Sequence, residues 1–430
     1  MELIKAQKGT QDLLPAQTEK WQVVEDVMRS EAKIHGFGEI RTPVFEDTRL
    51  FQRSVGETTD VVQKEMYTFN DKGGRSVTLR PEGTAGAVRA MLEHGMYNDG
   101  LPLRLSYFTS CYRYENTQAG RLREFHQFGL EVFGTQSPMA DAELIGTAKS
   151  IFSRLGVRNL KLEINSIGCP DCRAKYYEAL RAYFSDYRDQ LCETCQGRLE
   201  RNPMRILDCK SPVCSKIAAG APRMLDYLCD DCRTHFESVK TYLDAIHIEY
   251  TVNPSIVRGL DYYTKTVFEF VSDDLGAQST VCGGGRYDGL VEEMGGQPMP
   301  ALGFGLGMER LMMILDAQKV EFPEPETCDL FIGALGDAAR LEAFQLAHSL
   351  QEYSISAACD INDRGLKAQM KYADKIAAKY SLVLGDDELA TKKAVIKNMK
   401  TGEKSKIDLS KDFVEQFVTL QTKDEDSIDF

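Results

Sequence analysis

Residues 103–133 begin with Leu103-Arg-Leu-Ser-Tyr-Phe-Thr-Ser-Cys-Tyr-Arg-Tyr114 and end with Phe125-His-Gln-Phe-Gly-Leu-Glu-Val-Phe133. Both stretches are rich in aromatic residues, which favour β-strands. The segment between them, Glu115–Glu124, is polar. We therefore predict two strands joined by a long polar loop.

Further strands are predicted at Glu39–Phe45, Ser76–Arg80, Leu160–Asn165, Thr266–Ser272 and from Val281 onward. Helices are predicted at Glu19–Ile34, Gly83–Leu92 and Ala140–Leu155, and a further helix ends at Leu315. Several strands come as antiparallel pairs with helices beside them. The predicted fold class is therefore α+β with a large antiparallel sheet, and not a doubly wound parallel sheet.

The chain is predicted to hold two domains. Pro323-Glu-Pro-Glu326 is typical of a stiff linker. Residues 1–325 form the first domain, and strands that alternate with helices over residues 328–420 predict a compact α/β domain. Residues 421–430 are acidic and are expected to form a frayed tail.

Composition narrows the class of protein. No run of about 18 apolar residues occurs, and the N-terminus has no signal-peptide core, so we expect a cytoplasmic protein without a membrane span. The net charge of −13 argues against a general nucleic-acid coating protein. It leaves room for an RNA partner held by a local basic stripe, such as Lys367, Lys371 and Lys375, although a solvated helix face is the simpler interpretation.

Three glycine-containing segments concentrate chemistry that a fold alone does not need. They read Arg258-Gly-Leu-Asp-Tyr-Tyr-Thr-Lys-Thr-Val267, Gly283-Gly-Gly-Arg-Tyr-Asp-Gly289 and Gly303-Phe-Gly-Leu-Gly-Met-Glu-Arg310. Consecutive or alternating glycines are expected where a strand leaves room for a flat ligand or lets its backbone approach one. Arginine and tyrosine beside them can bind a ligand that is flat, polar and partly anionic.

Taken together, these segments resemble a known family. The strand pair and the segment ending at Arg310 resemble motifs 2 and 3 of the class II aminoacyl-tRNA synthetases, and Gly38–Pro43 resembles motif 1 with its interface proline. The segments at Arg258 and Gly283 resemble the two signatures of the bacterial-type histidyl-tRNA synthetase family. The resemblance runs from Lys8 to about residue 410. It implies a class II catalytic domain, a C-terminal anticodon-binding domain and a homodimer.

The resemblance also implies an activity. Such an enzyme ligates L-histidine to tRNA(His) through histidyl-adenylate, with ATP and Mg²⁺, and releases AMP and diphosphate. Arg113 matches the residue that contacts the α-phosphate and the substrate carboxylate. Arg258 matches a second arginine at that phosphate, and Arg310 matches one near the γ-phosphate.

The remaining site residues are carried over position by position. They are Glu82 and Thr84 for the α-amino group, Gln127 and Glu131 for the histidine site, Tyr262, Tyr263 and Tyr287 for its side-chain pocket, Glu115 and Phe125 for adenine, and Gln118 and Arg121 for tRNA. Gln127 and Glu131 have the i, i+4 spacing that places both on one face of a strand.

Two alternatives stay open at this stage. A non-catalytic paralogue that regulates histidine biosynthesis would resemble the catalytic core but lack the C-terminal domain and lose signature residues. An RNA-binding or zinc-binding module without activity would leave the arginines and glycine-rich strands unexplained.

Eight of the twelve cysteines lie between residues 169 and 232, in an insertion of the catalytic domain. They form four pairs: Cys169 and Cys172, Cys192 and Cys195, Cys209 and Cys214, Cys229 and Cys232. Their spacing predicts structural zinc, one or two ions, the alternative being a set of reduced thiols. A helix over Arg173–Asp189 would be about 25 Å long and would separate Cys172 from Cys192. We therefore predict nested sites, in which the outer two pairs share one metal and the inner two pairs share the other.

Overall fold

The computed structural model describes residues 3–56, 59, 61–209, 211–256, 258, 260–278, 280–324, 327–410 and 412–426. Gly259, the linker residues Pro325 and Glu326, and positions 427–430 of the predicted tail lie outside the described residues. The chain divides into two compact units, Met1–Phe322 and Pro323–Phe430. None of the helices in the described ranges combines the length and apolar character that a membrane span requires.

The N-terminal unit contains ten helices and eleven strands in its described part. Its helices are α1 Pro15–Ile34, α2 Thr48–Val55, α3 Thr84–Glu93, α4 Pro138–Arg154, α5 Pro170–Ser185, α6 Glu193–Arg201, α7 Pro212–Ala218, α8 Asp230–Ala245, α9 Leu290–Glu293 and α10 Met308–Ala317. Its strands are β1 Gly38–Glu39, β2 Phe45–Asp47, β3 Thr68–Asn70, β4 Ser76–Leu79, β5 Leu103–Tyr112, β6 Glu124–Phe133, β7 Leu160–Ser166, β8 Thr251–Val252, β9 Thr264–Ser272, β10 Thr280–Arg286 and β11 Ala301–Gly307.

Eight of these strands form one sheet in the order β1-β5-β6-β11-β10-β9-β7-β8. The two outer pairs, β1 with β5 and β7 with β8, are parallel, and every pair between them is antiparallel. The predicted α+β class with a large antiparallel sheet is confirmed.

Helices pack on both faces of this sheet: α1, α4 and α10 contribute to the core on one face, and α3 and α5 contribute to the core on the other, which also carries the site. On β6, Phe128, Leu130 and Val132 join the core cluster that also contains Trp21 of α1 and Phe152 of α4. Alternation along the strand then points Gln127 and Glu131 to the opposite face. The alternation that places apolar side chains of β6 in the core therefore also places Gln127 and Glu131 on the side of the site.

The predicted strand over Glu39–Phe45 is wrong, because the chain leaves the sheet after β1 and re-enters extended pairing only at β2. Pro43 has no N–H to donate to a neighbouring strand. The carbonyls of Thr42 and Pro43 accept instead from Nη1 of Arg80, at 2.7 and 3.1 Å.

The three-stranded sheet β2-β4-β3 presents its apolar face outward. Register places Phe45 opposite Leu79 and Phe69 opposite Val77, so all four share one face. Phe45 is 57% exposed and Phe69 is 49% exposed. On the inner face, buried Thr78 is hydrogen-bonded to other hydroxyls. This arrangement reverses the usual burial of apolar side chains.

The insertion is helical, as predicted. Its first helix, α5, begins at Pro170 and ends at Ser185, earlier at both ends than the predicted Arg173–Asp189, and a short 3₁₀ turn follows at Arg188–Gln190.

The C-terminal unit is a mixed sheet with helices. Its elements are β12 Leu330–Ala334, α11 Asp337–Glu352, β13 Ala357–Cys359, α12 Leu366–Lys375, β14 Tyr380–Leu384, α13 Asp386–Thr391, β15 Lys393–Asn398, β16 Lys404–Asp408 and α14 Phe413–Asp426. The strand order is β13-β12-β14-β15-β16, parallel at β13, β12 and β14 and antiparallel thereafter. Residues 421–426, predicted as part of the tail, are the last residues of α14.

Candidate active site

A buried carboxylate, Glu131, lies on β6, on the face of the sheet opposite Phe128 and Leu130. Its Oε1 accepts from the hydroxyls of Thr84 at 2.7 Å and Tyr107 at 3.0 Å, and its Oε2 accepts from the hydroxyl of Tyr287. The side chain is fully buried. Burial raises the pKa of Glu131 to about 8, against the opposing effect of the hydrogen bonds from Tyr287 and Thr84. A carboxyl poised in this way can exchange its hydroxyl partners for polar groups of a ligand.

A second buried carboxylate, Glu82, stands next to the first. It accepts from the backbone N–H groups of Thr84 at 2.6 Å and Ala85 at 2.8 Å, which lie in the first turn of α3. Burial raises the pKa of Glu82. Glu82, Thr84 and Glu131, which the family resemblance assigns to one substrate, are therefore brought together in one buried cluster.

Three tyrosines lie beside this buried cluster. The rings of Tyr262 and Tyr263 lie 4.6 Å apart between centroids, and those of Tyr262 and Tyr287 lie 5.5 Å apart. All three side chains are buried, and burial raises the pKa of each hydroxyl. The three predicted pocket tyrosines are brought together around Glu131.

The alternating glycines of β11 make room mainly for the protein's own side chains. A Cβ at Gly303 would lie 2.6 Å from Cδ of Glu131, and one at Gly305 would lie 3.0 Å from Cδ of Gln127. At Gly307 no atom lies within 4 Å of the added Cβ. Gly303 and Gly305 thus leave space for Glu131 and Gln127 of β6, and Gly305 and Gly307 also line the groove described below, as expected of glycines that leave room for a ligand.

The consecutive glycines of β10 also make room for other residues of the protein. A Cβ at Gly283 would lie 2.7 Å from Cζ of Arg258, and one at Gly284 would lie 2.6 Å from Cβ of Phe304. Gly283 also lines the groove, so the expectation that this backbone can approach a ligand stays a prediction. The same glycine seats the guanidinium of Arg258.

A groove beside the carboxylate pocket is lined by four arginines and two glutamates. They are Arg113, Arg121, Arg258, Arg310, Glu115 and Glu309, with Phe125, Gln127 and Gly307 among their neighbours. The excess of positive charge suits an anionic ligand with several phosphates. Gln127 lines this groove, and its Oε1 accepts from the backbone N–H of Gly83 at 3.0 Å, next to Glu82.

Each arginine of the groove is held by backbone or by a carboxylate. Nε of Arg113 donates to the carbonyl of Pro81 at 2.8 Å, and its guanidinium lies 5.2 Å from the ring centroid of Phe125. Arg310 donates to the carbonyls of Gly120 at 3.1 Å and Thr280 at 2.7 Å. Burial and the nearby Arg121 lower the pKa of Arg310. Its charge would be stabilised by a bound anion.

Arg258 joins the groove to the tyrosine pocket. Its Nη1 pairs with Oε1 of Glu269, and its guanidinium lies 5.5 Å from the ring centroid of Tyr263. Burial lowers the pKa of Arg258, but Tyr263 and Glu269 outweigh burial and raise it overall. The hydroxyl of Thr280 donates to the other oxygen of Glu269 at 2.7 Å.

The polar loop between β5 and β6 closes over one end of the groove. The backbones of Gln118 and Arg121 bond to each other at its tip. Nε of Arg121 lies 2.5 Å from Oε2 of Glu115, which is 8% exposed. The predicted tRNA contacts thus lie at the tip of the loop, while Glu115 and Phe125 face the groove.

Sequence reasoning missed three residues of the site. Tyr107 fills the space left by Gly83 and Gly129 and donates to Glu131. Glu269 holds Arg258, and Glu309 accepts from the backbone N–H of His126 at 3.0 Å. Tyr107 and Glu309 lie inside quoted motifs, and Glu269 lies opposite Gly283 in the register of β9 and β10. That register is the signal that would have found it.

The eight cysteines form two groups of four. The first cysteine group is Cys169, Cys172, Cys229 and Cys232, and the second cysteine group is Cys192, Cys195, Cys209 and Cys214. Within each group the four Sγ atoms lie within 4.8 Å of one another. This is the nested arrangement expected from the sequence.

Comparisons with known proteins assign the chain to a family. The family model described as histidyl-tRNA synthetase matches residues 9–182 and 217–311, and an anticodon-binding domain model matches residues 329–419. The chain belongs to the histidyl-tRNA synthetase family. The matched parts contain Glu82, Arg113, Glu131, Arg258 and Arg310.

Relatives in this family match nearly the whole chain. The histidine--tRNA ligase of Clostridium novyi (strain NT) is 55% identical over 95% of this chain and 97% of its own length. That of Caldanaerobacter subterraneus subsp. tengcongensis is 55% identical over 94% of this chain and 97% of its own. The crystal structure of apo S. aureus histidyl-tRNA synthetase superposes with a TM-score of 0.83 at 41% identity and covers 96% of this chain and 100% of that one.

Proposed function

We propose that this chain ligates L-histidine to tRNA(His) in two steps, with ATP as the second substrate. The observation that carries the proposal is that the carboxylate–tyrosine pocket and the arginine groove share β6. Glu131 faces the pocket, and Gln127, four residues earlier on the same strand, lines the groove. An amino acid in the pocket and a nucleotide in the groove would then meet at their reacting ends.

In the first step, a carboxylate oxygen of histidine attacks the α-phosphorus of ATP. The bond from that phosphorus to the bridging oxygen breaks, and diphosphate leaves. Arg113 and Arg258 are assigned to the α-phosphate and the attacking carboxylate, and Arg310 to the γ-phosphate end. No protein nucleophile is needed, because positioning and fixed charge lower the barrier. In the second step, a terminal ribose hydroxyl of the tRNA takes the histidyl group and AMP leaves.

The pocket is suited to read an imidazole. Glu82 and Thr84 are assigned to the α-amino group, and Glu131 with Tyr262, Tyr263 and Tyr287 to the ring. Buried polar groups that lose their partner when a wrong ligand binds can discriminate by about 10⁴–10⁵. The buried Glu131 and the hydroxyls around it supply such groups.

Mg²⁺ is proposed to enter with the nucleotide and to neutralise charge on the β- and γ-phosphates. The two carboxylates of the groove, Glu115 and Glu309, already have partners in the protein. They therefore fit a Mg²⁺ ion that is bound mainly by the phosphates better than one bound by the protein alone. Glu115 pairs with Arg121, and Glu309 accepts from His126. The arginines would bind the phosphate oxygens that Mg²⁺ does not coordinate.

The tRNA is proposed to contact both units of the chain. Gln118 and Arg121, at the tip of the loop between β5 and β6, are assigned to its acceptor end. Lys367, Lys371 and Lys375 lie exposed along α12, whose other side buries Gln369 and Ala373. Such a stripe would contribute charge-driven, salt-dependent affinity for RNA.

A homodimer is proposed through the outward apolar face that carries Phe45, Phe69, Val77 and Leu79. Exposed aromatic side chains on a sheet whose inner face carries hydroxyls indicate a surface that a second chain covers. Motif 1, at Gly38–Pro43, directly precedes β2 in sequence.

Aminoacylation tests the proposal. The full chain, incubated with ATP, Mg²⁺ and labelled histidine, should transfer the label to a tRNA(His) transcript and not to a transcript of another tRNA. A chain that binds tRNA(His) but transfers no histidine would instead support the regulatory-paralogue alternative.

A further inference from the structure

The four sulfurs of each cysteine group lie within 4.8 Å of one another, and one sulfur–sulfur distance in each group is close to the edge of a tetrahedral zinc site. A zinc ion with four Zn–S bonds of about 2.3 Å implies sulfur–sulfur edges of roughly 3.8 Å. The Sγ atoms of Cys169 and Cys172 lie 3.5 Å apart, and those of Cys192 and Cys209 lie 3.8 Å apart. A disulfide would need about 2.05 Å. The twelve cysteines, all in the described ranges, are free.

The backbone around the sulfurs favours thiolates. Cys169, Cys192 and Cys229 are the N-cap residues of α5, α6 and α8, where the helix dipole stabilises negative charge. The backbone N–H of Cys229 donates to Sγ of Cys172 at 3.1 Å, and that of Cys192 donates to Sγ of Cys214 at 3.3 Å. Such donors orient and stabilise metal-bound sulfurs.

Each group joins segments that are distant along the chain. In the first cysteine group, the start of α5 meets the start of α8; in the second, the start of α6 meets the segment around α7. Four thiols at one point, two of them buried in each group, are explained by a shared ion better than by separate reduced side chains.

We propose that each cysteine group binds one structural Zn²⁺ and that the two ions position Arg258 and the segment Leu260–Tyr263 of the proposed active site. The positioning part of this proposal rests on the proposed function.

The first cysteine group is tied to the far end of that segment. The backbone N–H of Lys265 donates to the carbonyl of Gly168 at 2.9 Å, one residue before Cys169. Nη1 of Arg173, one residue after Cys172, donates to the carbonyl of Tyr263 at 2.9 Å. The ion would therefore fix the turn that carries Tyr263 into the substrate pocket.

The second cysteine group supports the middle of the same segment. Asn202 and Arg205 lie between its two cysteine pairs, and both donate to Oδ1 of Asp261, at 3.2 and 3.0 Å. Arg173, Asn202 and Arg205 also line a small cavity that Arg258 and Asp261 border. Arg258 thus borders the same cavity as these residues of the insertion.

The second site goes beyond what the family description covers. The family model leaves residues 183–216 unmatched, and this stretch contains the whole second cysteine group. The first cysteine group lies entirely in matched sequence.

Metal content tests the two ions. The full chain, purified without a metal-affinity tag and without added metal, should contain two zinc ions per chain by mass spectrometry of the elements. Cys209→Ser and Cys232→Ser should each leave one, and Cys359→Ser, in the C-terminal unit, should leave two. A wild-type content below two per chain overturns the two-site proposal, and zinc retained in both single variants overturns the ligand assignment.

Kinetics test the positioning role. Exchange of diphosphate into ATP with histidine is measured per active site, titrated by adenylate formation, so that a merely unfolded fraction does not change the value. Because a misplacement of about 1 Å can cost roughly 100-fold in rate, Cys209→Ser should lower kcat per site about tenfold or more. Cys209→His, which offers an imidazole ligand, should restore both the zinc and the rate. An unchanged kcat per site in a zinc-depleted Cys209→Ser variant overturns the positioning role.

A second variant keeps the test valid if the cysteine variants do not fold. Arg205→Met leaves all eight cysteines but removes the donor to Asp261, so zinc should stay at two per chain while kcat per site falls. Arg201→Met, at the exposed end of α6, is the matched control and should behave as wild type. If Arg205→Met also keeps the wild-type rate, the coupling is wrong. If the wild type shows no histidine-dependent exchange, the proposed function fails, and the zinc count still tests the metal sites.

Discussion

At the scale of single residues, Glu131 combines two opposing influences. Burial favours its protonated form, and three hydroxyls around it favour the ionised one. Burial prevails, and the pKa of about 8 lies well above the ordinary 4.5. At a pH between these two pKa values, Glu131 is protonated in the folded state and ionised in the unfolded state.

The first prediction concerns the pH dependence of stability. Because Glu131 is protonated in the folded state, its contribution should be complete below about pH 4.5 and should be lost as pH rises through about 8. Glu131→Gln removes this titration. As pH rises across that window, the free energy of unfolding of the variant should therefore increase relative to that of wild type by on the order of 1 kcal/mol per pH unit. The fluorescence of Trp21, which is the one tryptophan and is buried in the N-terminal unit, reports unfolding in urea. A stability difference that does not change with pH contradicts the assignment; Glu200→Gln, an exposed carboxylate, is the control.

The second prediction concerns Arg258. Arg258→Ala should lower kcat for histidine-dependent exchange by about 10²–10³, the usual effect of losing a donor to developing charge. Arg258→Lys should recover part of the rate, because a lysine keeps the charge but not the planar fork. Arg75→Ala, at an 82% exposed side chain, should not change the rate. Wild-type kcat in a folded Arg258→Ala chain would remove this arginine from the catalytic residues.

The sequence predicts the site residues that belong to motifs but not those defined by pairing. Arg113, Tyr262 and Tyr287 are marked by their neighbours along the chain. Glu269 is distant from Gly283 in sequence and becomes its neighbour only through the register of β9 and β10. Which side chain fills the space beside a glycine is a tertiary property, so the occupants of the space at Gly283 and Gly303 could not be predicted.

At the scale of elements, β11 acts as a template for β6. Gly303 lies opposite Glu131 and Gly305 opposite Gly129, so the bare strand leaves space for the functional side chains of its partner. The glycines of β11 therefore leave space for side chains of β6, and Gly305 and Gly307 also line the groove.

The third prediction compares two glycines of this strand. Gly303→Ala should displace Glu131, raise KM for histidine strongly and cost about 1–3 kcal/mol of stability through overpacking. Gly307→Ala adds the same atom where no neighbour lies within 4 Å, so it should keep the wild-type stability and affect mainly the KM for ATP. Thermal unfolding and steady-state exchange measure both effects. Equal stability losses in the two variants would contradict the template role of Gly303.

Element predictions succeed where a periodic pattern is long and fail where tertiary contacts intervene. The aromatic-rich β5 and β6 are found almost to their ends. The strand over Glu39–Phe45 is broken because Arg80, far along the chain, takes the carbonyls of Thr42 and Pro43. α14 continues through residues that looked like a charged tail, because Phe413 and Phe417 bury its first turns in the C-terminal core.

At the scale of the whole molecule, the N-terminal unit carries an exposed apolar surface. The face of β2, β3 and β4 exposes Phe45 and Phe69. The mass of one chain is 48.3 kDa. If two chains bury this face against each other in a symmetric contact, the protein should have twice that mass in solution.

The fourth prediction tests that contact. Light scattering coupled to size exclusion should give the mass of two chains for wild type and a shift towards one chain for Phe45→Glu, because a charge would be buried in the contact. Phe344→Glu changes an equally exposed phenylalanine in the C-terminal unit and should leave the mass of two chains. A wild-type mass of one chain, or no shift in Phe45→Glu, would contradict this interface.

The central claim is that the pocket around Glu131 selects histidine for reaction with ATP in the adjoining arginine groove. The most direct measurement is the exchange of labelled diphosphate into ATP by the full chain, with each of the twenty amino acids in turn and without tRNA. We expect rapid exchange with histidine and at least about 10⁴-fold slower exchange with the others. Exchange with a different amino acid, or with none, would contradict the central claim.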